Sequence, residues 1–255
     1  MKNKRFLVLS MLTVLGLSAI CLIFKPTILF AQSESKAAAP TTVTLKPSAG
    51  LSEKMASADE QFTVLERTLD KIQQERVVTA EDNALLDESG MAIADTLKDA
   101  FLEASRSTLD AAESKGLKGN ADDLAYFESF ETSHVRRADR ITVLSLEIES
   151  GIRGGSITDN SKQTVGANVA TVNYVKEDKS KECTVESSSS AKVLRPCIAP
   201  CIAKNWAACA QCILQNVPAG IQHYNNFANC WNGCSGFWKW ACRAVCLGKF
   251  IYWIY

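Results

Sequence analysis

The sequence predicts an all-α protein: an N-terminal signal or membrane anchor, a three-helix bundle, a disordered linker and a C-terminal disulfide-stapled helical hairpin. Three observations predict it. Apolar residues recur at helical spacing through the middle of the chain. Eight of the ten cysteines lie in the last 59 of 255 residues, as CIAPCIAKNWAACAQC (197–212) and CWNGCSGFWKWACRAVC (230–246). The chain also opens on a basic MKNKR followed by a continuous apolar run, 6–24. The expected segments are 1–31 signal or anchor, 32–50 linker, 51–150 bundle, 151–196 polar linker and 197–255 cysteine-rich cationic hairpin.

The first element sets the redox compartment. A basic start and an apolar core read as a secretory signal, with cleavage expected after Ala31. The run has nineteen residues, about enough to span a bilayer, so the alternative is a retained anchor through 6–24. Lipidation at Cys21 is not expected, because Ile20 stands where a small residue is wanted. Either way the remaining chain is expected outside the cytoplasm, where disulfides persist.

The stretch SESKAAAPTTVTLKPSAG is a linker by composition, with small residues and two prolines. The bundle follows. Phe62, Leu65, Leu69 and Ile72 mark one helix face by their 3, 4, 3 spacing. Thr79 with Asp82 resembles a capping box and opens a second run holding Leu86, Ile93, Leu97 and Phe101, which ends near Gly116. Asn120 caps a third helix whose inner face holds Phe127, Phe130, Ala138, Ile141, Leu144 and Ile148, stopped by GIRGG at 151–155. Three such helices can bury a common core. Beyond them VATVNYV reads as one isolated strand, and KEDKSKECTVESSSSAK is polar and biased enough to stay disordered. A processing protease would have access there.

The tail repeats its spacing, with gaps of 3, 7 and 2 residues in the first cysteine cluster and 3, 7 and 3 in the second. On a helix, each set falls within about 160° of arc, on one face. With the chain turning at 213–229, where Pro218 and Gly220 interrupt a helix, the two ladders match to within one residue. This reading nests Cys212 with Cys230, Cys209 with Cys234, Cys201 with Cys242 and Cys197 with Cys246. Eight cysteines allow 105 pairings, so the spacing alone leaves others open. About fifty residues make too small a core to fold unaided, and each bridge contributes roughly 2–4 kcal/mol. Zinc ligation is not expected, given the gaps and the oxidising compartment.

Net charge is zero overall but not by segment. Residues 32–196 carry 20 basic and 28 acidic side chains, whereas 197–255 has Lys204, Lys239, Arg243 and Lys249 and no acid. All five tryptophans sit in that last segment. Trp206, Trp231, Trp238, Lys239, Trp240, Arg243, Lys249 and Trp253 are therefore the expected membrane-contacting residues. Their rings suit a bilayer interface and each cation near an anionic leaflet adds about 1 kcal/mol. The acidic bundle would shield them within the chain. The bland alternative packs the same rings into the hairpin's own core or onto the bundle.

The layout, together with CIAPCIAKNWAACAQC and CWNGCSGFWKWACRAVC, resembles the halocin-type (microhalocin) bacteriocin precursors. The resemblance implies a C-terminal peptide antibiotic acting on target-cell membranes and an N-terminal part serving as pro or immunity region. No residue of 51–150 carries that resemblance. The competing expectation is a non-enzymatic, envelope-associated interaction protein whose stapled hairpin is a permanent binding module.

Catalytic chemistry is not expected. His134 follows Phe127 and Phe130 on an inner face and reads as a hydrogen-bonded core residue; His223 lies in the polar turn. Glu128, Glu131 and His134 share a helix face but lack a fourth metal ligand. ESGIRGGS has no preceding strand and is no phosphate loop, and RRADR reads as a solvated face. No nucleophile is matched to a base and an orienting partner. No cofactor, metal or nucleic acid is expected.

Overall fold

A computed structural model describes residues 45–161, 192–236 and 239–255. The apolar run 6–24, VATVNYV, Cys21, Cys183, Phe237 and Trp238 lie outside the described residues. What is described is mostly helical, with its cysteines disulfide-bonded at the C-terminal end.

Helix α1 (Ala49–Glu75) buries Leu51, Met55, Ala58, Phe62, Leu65, Leu69 and Ile72, one stripe at steps of three and four. It stops where Arg76 turns left-handed and donates its N–H to the Ile72 carbonyl. Strand β1 (Val77–Val78) follows, then α2 (Ala80–Glu113). The capping box is present: Asp82 N–H donates to Thr79 Oγ1 (3.1 Å) and Thr79 N–H to Asp82 Oδ2 (2.9 Å). The turn after α2 uses Gly116 and Gly119 at φ 82° and 74°. The third helix comes in two pieces, α3 (Asp123–Ser129) and α4 (Glu131–Arg153), jointed at Phe130. Phe127, Ala138, Ile141 and Ile148 are buried as expected, while Phe130 and Leu144 are half-buried at its edge. Strand β2 (Thr158–Asp159) then pairs with β1 in parallel, a small departure from an all-helical fold.

The cysteine-rich segment is where sequence and structure part. It forms α5 (Arg195–Ile202), α6 (Trp206–Gly233) and α7 (Lys239–Ile254). The expected turn at 213–229 is instead the middle of the 28-residue α6, with Pro218 inside the helix. The chain turns where each cysteine cluster has its seven-residue gap. Lys204 (φ 56°) precedes Asn205, whose side chain caps α6 by accepting from Ala208 N–H; Gly236 (φ 78°) lies before α7.

The segment does not close a core of its own. Ile213, Phe227, Trp231, Leu247, Phe250, Ile251, Ile254 and Tyr255 join the bundle's apolar residues in one continuous cluster. Helix α6 lies against α2, and α7 against α4. The described residues belong to one compact unit.

Candidate functional site: a laced segment docked on an acidic bundle

The two cysteine clusters each close on themselves. At the α5–α6 corner Cys197 bonds Cys212 and Cys201 bonds Cys209, with Cα separations of 5.4 and 4.7 Å. At the α6–α7 corner Cys230 bonds Cys246 and Cys234 bonds Cys242, at 5.8 and 5.7 Å. All four fall within the range that the bond requires. This corrects the nested pairing expected across 213–229. The facing-ladder logic holds, but the facing helix is the one just across each corner. All eight predicted cysteines are thus bridged, and every bridge lies inside 197–246. The Cys230, Cys234 and Cys246 sulfurs lie within 4.8 Å of one another, but each is in a disulfide and so offers no thiolate to a metal.

Two glycines key the segment to the bundle. A Cβ on Gly90 of α2 would sit 2.1 Å from Cη2 of Trp231, and a Cβ on Gly220 of α6 would sit 2.3 Å from Cζ of Phe101. Each helix therefore offers one notch and, eleven residues or about three turns later, one ring, in the same order along both sequences, so that antiparallel packing sets each ring on the other helix's notch. Antiparallel helices fit this way in one register only.

Around these notches, carboxylates of the bundle reach the segment. Asp87 pairs with Lys239 (2.9 Å) and with Arg243. Asp95 accepts from the Tyr224 hydroxyl, whose pKa burial and then Asp95 push up to about 12. Glu131 pairs with Lys192. Glu149 accepts from the backbone N–H groups of Trp240 (2.5 Å) and Ala241 (3.0 Å) at the start of α7, as a helix cap supplied by another helix.

Glu149 is 1% exposed, and burial pushes its pKa up to about 7 despite those two donors. The folded protein then holds a proton that the unfolded chain has lost. Stability contributed this way is complete below the ordinary value of 4.5 and is lost as pH rises through about 7. Glu149→Gln is expected to flatten a fall of about 3 kcal/mol between pH 4.5 and 7.5, read as urea midpoints across that range.

The predicted membrane-contacting residues are distributed as follows. Trp231 is buried over Gly90 and does not face outward as folded, because the missing Cβ there leaves room for its ring. Half-buried Trp240 lies under Lys239 (4.6 Å) and Arg243 (5.4 Å), and Arg243 also sits over Trp231 (5.1 Å). These four gather at Asp87. Lys249 and Trp253 lie apart with His223, whose ring is 5.0 Å from that of Trp253. Trp206 is half-buried at the α5–α6 corner beside Gly116. Sequence reasoning missed Asp87, Gly90, Asp95, Glu149 and Tyr255. The shared eleven-residue glycine-to-aromatic spacing of α2 and α6 was the one signal that pointed to any of them.

An apolar crevice of about 630 Å³ runs between α2 and α6, lined by Leu102, Leu109, Leu214, Val217 and Pro218 with Lys54 and Arg106 at its rim. Among the described residues no helix is long and apolar enough to cross a membrane. Comparison with protein-family models, curated proteins and solved structures finds no match for this chain.

Proposed function

We propose that the chain is the precursor of a bacteriocin-like cationic peptide that acts on membranes, held inactive by the helical region that precedes it. The observation that carries this reading is the placing of the covalent bonds. All four disulfides close within 197–246, and among the described residues none ties the segment to the bundle. One cut between the two leaves them associated by non-covalent contacts alone. The masking is chemical as well as steric, because Asp87 pairs with both Lys239 and Arg243 and offsets one of their two charges, while Gly90 hides Trp231. The active unit starts no later than Lys192. Val193 and Leu194 are buried, and Val193 N–H donates to the Trp253 carbonyl (3.3 Å). Including Lys192 and Arg195, residues 192–255 carry six basic and no acidic side chains.

The secreted setting and the pro or immunity role of the bundle belong to the same proposal. A permanent interaction module is the second reading, and the core-grade burial of Trp231 and Tyr255 favours it. Mass spectrometry of culture supernatant separates the two. A fragment beginning within 162–192 and lighter by eight hydrogens than its sequence is expected for the precursor. Liberated oxidised segment is expected to leak dye from phosphatidylglycerol vesicles, with loss on reduction and silence of the uncut chain. A liberated, oxidised segment as silent as the uncut chain would sink the reading.

A further inference from the structure

The last residue of the chain is also one of its most completely buried. Tyr255 is 0% exposed, its ring stacked on Phe127 at 4.6 Å between centroids. Its hydroxyl donates to Nδ1 of His134 (2.5 Å), and Nε2–H of the same imidazole donates to Asp59 Oδ1 (3.0 Å). Burial holds both groups in the forms this chain of bonds needs: the His134 pKa is lowered, so the ring is neutral, and the Tyr255 pKa is raised, so the phenol keeps its proton. Arg137 fixes the far end, donating to Asp59 Oδ1 (3.2 Å), to the Asp59 carbonyl (3.1 Å) and to Glu66 (2.9 Å). Phe62 and Phe130 flank the imidazole at 4.8 and 5.5 Å.

Every group of this arrangement except one comes from α1, α3, α4 or the joint between α3 and α4. The exception is Tyr255. Without it, His134 would present an acceptor with no partner inside an aromatic-walled hole. We propose that the hole is a recognition socket for the Tyr255 side chain, through which the bundle grips the segment and, once the chain is cut, takes up the segment of a second copy. The inference rests on the separability argued under the proposed function. The phenol is what the socket reads. A phenylalanine at position 255 fills the same volume but strands the His134 nitrogen, which weakens binding roughly tenfold or more.

The test uses the full chain with a site-specific protease sequence placed within 162–191 and an affinity tag at the N-terminal side. After cutting, the tagged part is immobilised and departure of the segment is timed. Wild type is expected to retain it; Tyr255→Phe should release it roughly tenfold faster and removal of Tyr255 roughly a hundredfold faster. Tyr252→Ala, at a residue 50% exposed, should match wild type. Mixed with an excess of untagged, cut wild-type protein, the immobilised part should exchange its segment for the untagged copy's, and cut protein lacking Tyr255 should not supply one. Should the shortened chain fail to fold by circular dichroism, Tyr255→Phe decides alone. Release of Tyr255→Phe at the wild-type rate, or exchange that ignores Tyr255, overturns the socket. Vesicle leakage is read separately. A silent segment held through Tyr255 defeats the proposed function and leaves the socket standing, whereas an active segment held without Tyr255 does the reverse.

Discussion

Gly90→Val is expected to destabilise the folded chain by about 3–5 kcal/mol and to shift tryptophan emission to the red. Two effects oppose each other. Replacing a mid-helix glycine gains up to about 1 kcal/mol in helix propensity, somewhat less for a β-branched residue. Against this, a Cβ at position 90 would lie 2.1 Å from Trp231 Cη2, and Trp231 is only 4% exposed, so the ring has nowhere to swing. Either the ring leaves its notch, losing one of the larger burials in the segment, or α6 lifts from α2. The steric term wins. Thermal unfolding with fluorescence detection checks the size, and a double-mutant cycle checks the cause. Trp231→Ala alone should lower stability by about 3–5 kcal/mol, yet in that background Gly90→Val should become nearly neutral. Costs that simply add would mean that the two residues do not share the notch.

Removing both rungs at the α6–α7 corner (Cys230, Cys234, Cys242 and Cys246→Ser) should lower stability by about 3–5 kcal/mol. The outer bond spans 16 residues and the inner one 8, so the inner closes a loop already shortened and adds less. Helix α7 brings Leu247, Phe250, Ile251, Ile254 and Tyr255 to the core, so its loosening should expose them together. Hydrogen exchange along 239–255 reads that directly. The same lacing has a covalent readout. Cleavage at Tyr224 or Phe227, in unfolded but unreduced chain, should separate two halves without reductant, because no bridge joins 197–212 to 230–246. Halves that stay joined would restore the pairing across α6.

The bundle was legible because its signals are local. The stripe from Phe62 to Ile72 and the Thr79–Asp82 cap each involve residues within one or two turns, and both stand as read. The α3–α4 joint escaped notice, since Phe127 and Ala138 keep the same inward face on either side of Phe130. Pro218 and Gly220 read as a turn because both disfavour a helix interior. In the fold Gly220 is a docking notch for Phe101, a residue 119 positions earlier, and that packing outweighs propensity. The true corners were marked more quietly, by Lys204 before a capping Asn205 and by Gly236. His134 was recognisable as a bonded interior residue, but its partner at the far end of the chain was not. Long-range pairings such as Asp87 with Lys239 leave no trace in periodicity.

The parallel pair of β1 and β2 has a topological consequence. Thr158 N–H on the Arg76 carbonyl and Asn160 N–H on Val78 (each 2.8 Å) moor the chain at the end of the bundle where α4 finishes. Lys192, ion-paired to Glu131, re-enters where α4 starts, about 33 Å away along that 23-residue helix. The thirty intervening residues could reach about three times as far. A cut within those thirty residues leaves all four crosslinks of the segment intact.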